Sequence, residues 1–388
     1  MSTVLYNTLD LALLFTLYQC LLFAVFLVLL KKGKKQSNVL LALFLCAYAA
    51  IPLDTLINFG EAFRRFAIDY SPNIFYTFGS AYWLEAVLLL FYVRSLIYKN
   101  FTFKRSDLLY LLPLMFYLIY ETDNWYLLDT QTKLALLNGY ELSAEPAYKR
   151  FINLFRECFR TFCGVLCLLE LQQYQRQIKN EYADIEAFDL TWLKILVLGF
   201  LVIRIQAVLV TLAVISSVEL SIQIDYALLG QIANFMVMFL ISFLIFFNMS
   251  LSNLFSGIEP QKALAEQTQE KQPINPEHID RLRTYMREHK PYLNRLLTLD
   301  NLAAQLNMPS RQLSQLINRH FKQNFFEFIN GYRIDESKTL LEHEAHRKTT
   351  MLEIMAQAGF NSKATFNTFF KKIVGLTPSQ YRQQQLNS

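Results

Sequence analysis

Histidine is missing from the first two-thirds of this 388-residue chain, and cysteine is scarce. The five histidines lie between residues 278 and 346, whereas the five cysteines lie in apolar segments of the earlier part. Cys163 and Cys167 share a helix face, but no histidine in that part completes a zinc-binding set, so no metal is predicted. The chain also lacks a nucleophile–base set and a glycine-rich phosphate loop. We therefore predict that the protein is not an enzyme and has no cofactor.

Acidic residues are absent from the end of the chain, after Glu353. Residues 1–258 carry 19 Lys and Arg against 19 Asp and Glu, whereas residues 259–388 carry 18 against 13. The formal charge of +5 therefore belongs entirely to the C-terminal part. Such a basic excess suits a nucleic-acid partner.

Long apolar runs dominate the first part of the chain, and a helix needs about 20 apolar residues to cross a bilayer. Seven stretches reach or approach this length: Leu9–Leu30, Asn38–Ile57, Ile74–Val93, Leu108–Tyr120, Phe151–Leu171, Thr191–Ile215 and Tyr226–Leu251. No Lys or Arg precedes the first stretch, which argues against a cleaved signal peptide. We predict a polytopic α-helical membrane domain of about seven spans over residues 1–251.

The loops between these stretches differ in positive charge. With the N-terminus outside, the inner loops 31–37, 94–107 and 172–190 hold ten Lys and Arg, and the outer segments hold five. Because inner loops are enriched in cations, this orientation is favoured. The sequence thus predicts a multi-pass protein of the bacterial inner membrane, with the lipid bilayer as a partner and the C-terminal part in the cytoplasm.

Charged residues within the apolar stretches are costly to bury and are functional candidates. They permit two interpretations: buried ion pairs that hold the bundle together, or an outward-facing polar pocket that senses a small molecule or ion. The candidate pocket residues are Asp54, Glu85, Arg156, Arg160 and Arg204. The outer segment 121–150 is long enough to cover such a pocket.

Residues 252–276 are polar, contain three prolines and predict a linker. From residue 277 the apolar spacing becomes helical, and a pattern of helix, turn and second helix occurs twice, about 52 residues apart. Ser310 and Ser362 open the second helices as suitable N-cap residues. Between the copies, Phe325–Glu344 predicts a helix of about 27 Å. We predict a double helix-turn-helix domain over residues 277–388, so the whole chain is all-α.

The second helix of each copy has a polar outer face without acidic residues, as major-groove edges and phosphates require. The candidate DNA-binding residues are Ser310, Arg311, Gln312, Ser314, Gln315, Asn318, Arg319, Ser362, Lys363, Thr365, Asn367, Thr368, Lys371 and Lys372. A solvated helix would normally mix acids into such a face, which favours DNA over an ordinary surface.

Three segments carry a family resemblance: LTLDNLAAQLNMPSRQLSQLIN, YRIDESKTLL and IMAQAGFNSKATFNTFFKKIVGLTPSQYR. They resemble the DNA-binding domain of AraC/XylS transcription regulators over about a quarter of the chain. The resemblance implies base-reading roles for Arg311, Ser314, Gln315, Lys363, Thr365, Asn367 and Thr368. One departure is Pro309, which stands where the family favours a capping serine.

These features predict a membrane-anchored, sequence-specific transcription regulator that binds double-stranded promoter DNA, with the membrane domain as sensor and a homodimer as a candidate assembly. One alternative is a transporter-like protein with a regulatory C-terminal module, although few Gly or Pro residues break the spans. Another is a membrane receptor whose helical module binds protein, for which the acid-free faces would be accidental. The signal and the target promoter are not encoded in recognisable motifs.

Overall fold

The computed structural model describes residues 7–29, 34–98, 100–139, 146–185, 190–220, 222, 226–251, 276–343 and 349–386. Every regular element within these ranges is helical, which confirms the prediction of an all-α chain for the part described. The predicted linker, residues 252–276, lies outside the described residues except for Pro276, where a helix begins.

The chain forms two compact units. One contains residues 1–171 and 190–260, and the other contains residues 172–189 and 261–388. The second unit thus includes a segment that the sequence placed in an inner loop of the membrane domain. The predicted domain boundaries remain a prediction.

The first unit is built from long apolar helices and several short ones. Its α-helices are α1 (Thr8–Leu29), α2 (Lys35–Phe59), α3 (Glu61–Tyr70), α4 (Ala81–Ile97), α5 (Leu112–Glu121), α6 (Thr130–Asn138), α7 (Ala147–Glu181), α8 (Thr191–Glu219) and α9 (Tyr226–Leu251). Helix α1 packs against α2 and α9, α2 packs against α4, and α8 packs against α9. The last residues of α7, 172–181, belong to the second unit.

Four helices among the described residues are long and apolar enough to cross a membrane: α1, α2, α8 and residues Leu228–Phe246 of α9. The other three predicted spans differ from these. Helix α4 has 17 residues and α5 has 10, and α7 carries Arg156, Glu157 and Arg160 close together. The prediction of about seven spans therefore remains a prediction, with four apolar helices as its structural basis.

Helix α1 has apolar side chains on both its inner and its outer face. Leu13, Cys20 and Phe23 are buried within the unit. On the other side, an outer stripe at helical spacing is more than half exposed: Leu11, Phe15, Tyr18 and Leu22. Such a stripe is unfavourable in water by about 25 cal/mol per Å² of apolar surface, and it carries no such cost in hydrocarbon.

The second unit consists of short helices around one longer helix. They are α10 (Pro276–His289), α11 (Leu299–Gln305), α12 (Ser310–Leu316), α13 (Phe325–Glu342), α14 (Met351–Gln357), α15 (Lys363–Val374) and α16 (Pro378–Leu386). Helix α13 contributes to two apolar cores: Phe328 and Ile329 pack with α11 and α12, whereas Ile334 and Leu341 pack with α14 and α15. A single helix therefore connects both helix-turn-helix units.

Each helix pair is joined by a tight turn through the left-handed backbone region. Asn307 (φ +50°) lies two residues after the end of α11, and Gly359 (φ +87°) occupies the corresponding position after α14. A Cβ atom at Gly359 would lie 2.6 Å from the carbonyl oxygen of Tyr292. Glycine is therefore required there both for its backbone conformation and for close packing.

The second helices of the two pairs, α12 and α15, begin differently. Ser362 is the N-cap of α15, and its hydroxyl accepts a hydrogen bond from the amide of Thr365 at 3.2 Å, which confirms the predicted cap. Ser310 is instead the first residue of α12, and Pro309 is the N-cap without a side-chain bond. The predicted cap at Ser310 is wrong because proline occupies the capping position one residue earlier.

Candidate functional site

We call α12 and α15, the second helices of the two pairs, the recognition helices. Together with the turn Ile317–Phe321 after α12, they present most of the predicted DNA-binding residues at the surface. The exposed ones are Arg311, Gln312, Asn318, Lys363, Asn367, Thr368, Lys371 and Lys372. The half-buried ones are Ser310, Ser314, Gln315, Arg319 and Thr365. No acidic residue lies in α12 or α15, so both faces can approach a phosphate backbone without like-charge repulsion.

Some of the predicted DNA-binding side chains already form hydrogen bonds within the second unit. Ser362 is buried, with its hydroxyl used by the helix cap. Lys372 donates to Glu327 of α13 at 3.1 Å, an exposed ion pair that is easily exchanged for a phosphate. Asn318 donates to the Ser314 hydroxyl at 3.3 Å. Lys363, Asn367, Thr368 and Lys371 remain the strongest candidates on α15.

A groove of about 770 Å³ lies beside the second recognition helix. Its polar wall consists of Lys363, Asn367, Thr368 and Lys371 of α15, and no acidic residue lines it. The facing wall comes from α14 and from the start of α16, through Met351, Leu352, Met355, Thr377, Pro378 and Ser379. The four predicted residues of α15 are therefore brought together on one concave surface.

The centre of the second unit is a buried arginine. Arg333 of α13 is 1% exposed. Its guanidinium donates to the backbone carbonyls of Tyr292 at 2.8 Å, Ala183 at 3.1 Å and Asn294 at 3.0 Å. Burial lowers the pKa of Arg333 to about 10, against the opposing effect of the Asp184 carboxylate, so the group remains charged at neutral pH.

One of these carbonyls belongs to residues 182–184, which follow α7 directly and which we call the clip. Ala183 is buried in the first core of the second unit, and its amide donates to the carbonyl of Leu297 at 3.2 Å. Tyr182 pairs with Thr298, the N-cap of α11. Asn361, which precedes the α15 cap, donates to the Asp184 carboxylate at 2.8 Å. The clip thus contacts residues next to both helix-turn-helix units.

The predicted pocket residues of the first unit separate into two groups. Glu85 is fully buried and lies 2.8 Å from Arg160 and 2.6 Å from Arg204. Arg160 also contacts Glu157 at 2.7 Å. This set of residues forms a buried ion-pair cluster, which matches the structural interpretation of these charges. Glu85, Arg160 and Arg204 do not line a described cavity.

Asp54 and Arg156 line a cavity of about 370 Å³ in the first unit. Tyr82 hydrogen-bonds the Asp54 carboxylate. The Arg156 guanidinium lies 4.3 Å from the centre of the Tyr82 ring and 3.0 Å from Glu157. The structure thus provides a polar cavity as well as the ion-pair cluster. Within the described residues, no group of three or more His, Cys, Asp or Glu side chains is placed to hold a metal ion.

Comparison with known proteins identifies the C-terminal unit. A family model described as a helix-turn-helix domain matches residues 302–384. An uncharacterized HTH-type transcriptional regulator, YtdP of Bacillus subtilis, is 30% identical over 89 residues, which cover 23% of this chain and 11% of that protein. The MmsAB operon regulatory protein of Pseudomonas aeruginosa is 27% identical over 118 residues, covering 27% of this chain and 33% of the relative. No solved structure matches the chain.

The chain therefore spans a third or less of the length of these curated relatives, and the family model covers residues 302–384. The matched residues include both recognition helices and the connecting helix α13. Residues 302–384 are therefore similar to a helix-turn-helix domain, in agreement with the two helix pairs that the structure shows there.

Proposed function

We propose that this protein is a membrane-anchored transcription regulator that binds promoter DNA sequence-specifically through α12 and α15. The observation that carries this proposal is the pair of exposed, acid-free recognition helices within a helix-turn-helix domain. Helix α13 connects the two through its contacts with both cores. Two recognition helices on one connecting helix are suited to reading successive stretches of one major groove.

Anchoring in the bacterial inner membrane is supported by the four apolar helices and by the exposed apolar stripe of α1. Seven spans, the cytoplasmic placement of the C-terminal unit, and homodimer formation are parts of the same proposal. The bias of Lys and Arg toward the inner loops supports this orientation.

The membrane domain is proposed to act as the sensor, with α7 as its output. Helix α7 begins in the first unit, its last residues belong to the second, and the clip follows immediately. The clip in turn contacts Arg333 and Asn361. A signal that shifts α7 would displace the clip, and it would thereby change how α12 and α15 are held for DNA.

Two substitutions on the recognition helices test the assignment of roles. Arg311→Ala is expected to weaken binding to the preferred DNA site about 10- to 100-fold, since a side chain that pairs with a base edge contributes about 1–3 kcal/mol of discrimination. Lys371→Ala is expected to weaken binding to all sequences alike and to reduce the salt slope by about one. The preferred site is first selected from a random duplex library, and affinities are then measured by gel shift at several salt concentrations.

Arg287→Ala serves as the matched control, because this exposed cation lies on α10 rather than on a recognition helix. It should leave the affinity for the preferred site within about twofold of wild type. Equal effects of Arg311→Ala, Lys371→Ala and Arg287→Ala on unrelated sequences would contradict the proposed roles.

A further inference from the structure

The cavity of the first unit has the size of a ligand site. Its volume of about 370 Å³ falls in the range typical of small-molecule pockets. Residues of α2, α4, α5, α7 and α8 line it, so it lies within the helix bundle of that unit. Helix α7, which the proposed function makes the output of the sensor, contributes Lys149, Arg150 and Arg156 to the wall.

The charged residues of the lining favour an anion. Four of them are cationic, namely Arg64, Lys149, Arg150 and Arg156, and two are acidic, namely Asp54 and Glu121. Both acids have internal partners: Tyr82 hydrogen-bonds Asp54, and Tyr117 hydrogen-bonds Glu121. A cationic ligand would therefore meet an excess of like charge, and an anion would meet opposite charge.

Lys149 is the cation best placed to hold an anionic group. Arg150 pairs with Glu219 and Arg156 with Glu157, whereas Arg64 donates to the carbonyls of Asn58 and Leu137. The half-buried Lys149 ammonium instead lies 5.6 Å from the centre of the Tyr76 ring and interacts electrostatically with Glu121, but no described residue forms a hydrogen bond or ion pair with it.

The rest of the lining favours an apolar body on the ligand. Beside the polar cavity lies a second pocket of about 380 Å³, lined mainly by apolar residues such as Trp83, Leu112 and Phe116. The two pockets share Tyr117, Tyr120 and Ile152 as lining residues. A ligand with one charged end and one apolar end could therefore occupy both.

We propose that this pair of pockets binds a small organic anion, a carboxylate on an apolar body, with its charged group at Lys149 and its apolar part between Trp83 and Tyr120. This inference rests on the proposed sensor function and names the chemical class of its signal. The carboxylate replaces water as the partner of the Lys149 ammonium, and the apolar part leaves water for the second pocket.

The test uses the full-length protein in nanodiscs of phosphatidylcholine, so that no anionic lipid competes. Octanoate, octanamide and octylamine share one apolar chain and differ in charge, and each is titrated while tryptophan fluorescence and the thermal unfolding midpoint are recorded. Octanoate should bind saturably, and the other two should bind at least tenfold more weakly. Lys149→Gln should weaken octanoate binding at least tenfold, to the level of octanamide.

Arg65→Gln is the control, because Arg65 is an exposed cation of the same unit that pairs with Glu61 and does not line the cavity. Octanoate binding to this variant should match wild type. Lys149→Arg, which keeps the charge, should retain most of the affinity and shows that the site is folded. The proposal is overturned if octanoate does not bind saturably, if the three compounds bind equally, or if Lys149→Gln binds octanoate as wild type does. None of these measurements involves DNA. A negative result for octanoate would therefore contradict the ligand proposal without contradicting DNA binding, which the gel shifts test separately.

Discussion

Arg333→Met is expected to destabilise the second unit by about 3 kcal/mol or more. The substitution leaves three backbone carbonyls without their charged donor in a buried site, and each buried polar group left unsatisfied costs about 1–3 kcal/mol. Because methionine keeps much of the apolar stem of arginine, the loss of stability comes from the missing hydrogen bonds rather than from a cavity. In hydrogen exchange of the full-length protein, the amides of α13 should lose about 100-fold of their protection.

Lys338→Met is the control for this substitution, because Lys338 lies on the same helix and its side chain forms no described hydrogen bond or ion pair. Protection of α13 should remain within a few-fold of wild type in that variant. Arg333→Lys should behave much like Arg333→Met, since an ammonium cannot reproduce the planar fork that reaches three carbonyls. Wild-type protection of the α13 amides in Arg333→Met would show that the hydrogen bonds of Arg333 do not stabilise the second unit.

The same substitution should also disturb DNA binding through the clip. Arg333 holds the carbonyl of Ala183, and Asp184 beside it accepts from Asn361, which precedes the second recognition helix. Loss of the arginine therefore removes one of the hydrogen bonds that hold the clip, and the clip contacts Asn361 next to α15. We expect weaker DNA binding as a result.

Glu85→Gln is expected to be the most destabilising single change in the first unit. Glu85 is fully buried and is shared by Arg160 and Arg204, so its neutralisation leaves two buried guanidinium groups with less compensating charge. Removing one partner of a buried ion pair costs about 3–5 kcal/mol. The thermal unfolding midpoint of the purified protein in one detergent measures the effect, and we expect a decrease of several degrees.

An exposed ion pair in the same unit provides the matched comparison. Glu61 and Arg65 are four residues apart on α3, and both side chains are more than half exposed. Glu61→Gln should change stability by less than about 1 kcal/mol, because surface pairs of this kind contribute little. Similar midpoints for Glu85→Gln and Glu61→Gln would contradict the role given to the buried cluster.

Local patterns in the sequence were sufficient to predict the helical units. The apolar spacing of Leu313, Leu316 and Ile317, and of Phe366, Phe369 and Phe370, predicted the inner faces, because these residues repeat at the helical period. All of them are buried except Phe369, which is half-buried. The cap at Ser362 followed from its position before α15, whereas Pro309 displaced the cap expected at Ser310. Such features depend on neighbours a few residues away.

Long-range contacts could not be predicted in the same way. Arg333 bonds the carbonyl of Ala183 across 150 residues, and a backbone carbonyl has no signature in the sequence. The charges at Glu85, Arg160 and Arg204 were visible as costly residues in apolar stretches, but their mutual pairing depends on how α4, α7 and α8 pack. Lys149 was overlooked because it lies in the segment predicted as an outer loop, outside the apolar stretches.

The most direct test of the account is to map the DNA that crosslinks to the full-length protein in cells. Wild type is compared with the double variant Arg311→Ala and Thr368→Ala, each recovered at equal amounts from the membrane fraction. We predict that wild type is enriched at a few promoters sharing one sequence pattern and that the double variant loses this enrichment. Absence of enriched promoters for wild type, or the same promoters for both proteins, would contradict sequence-specific DNA binding by these two helices.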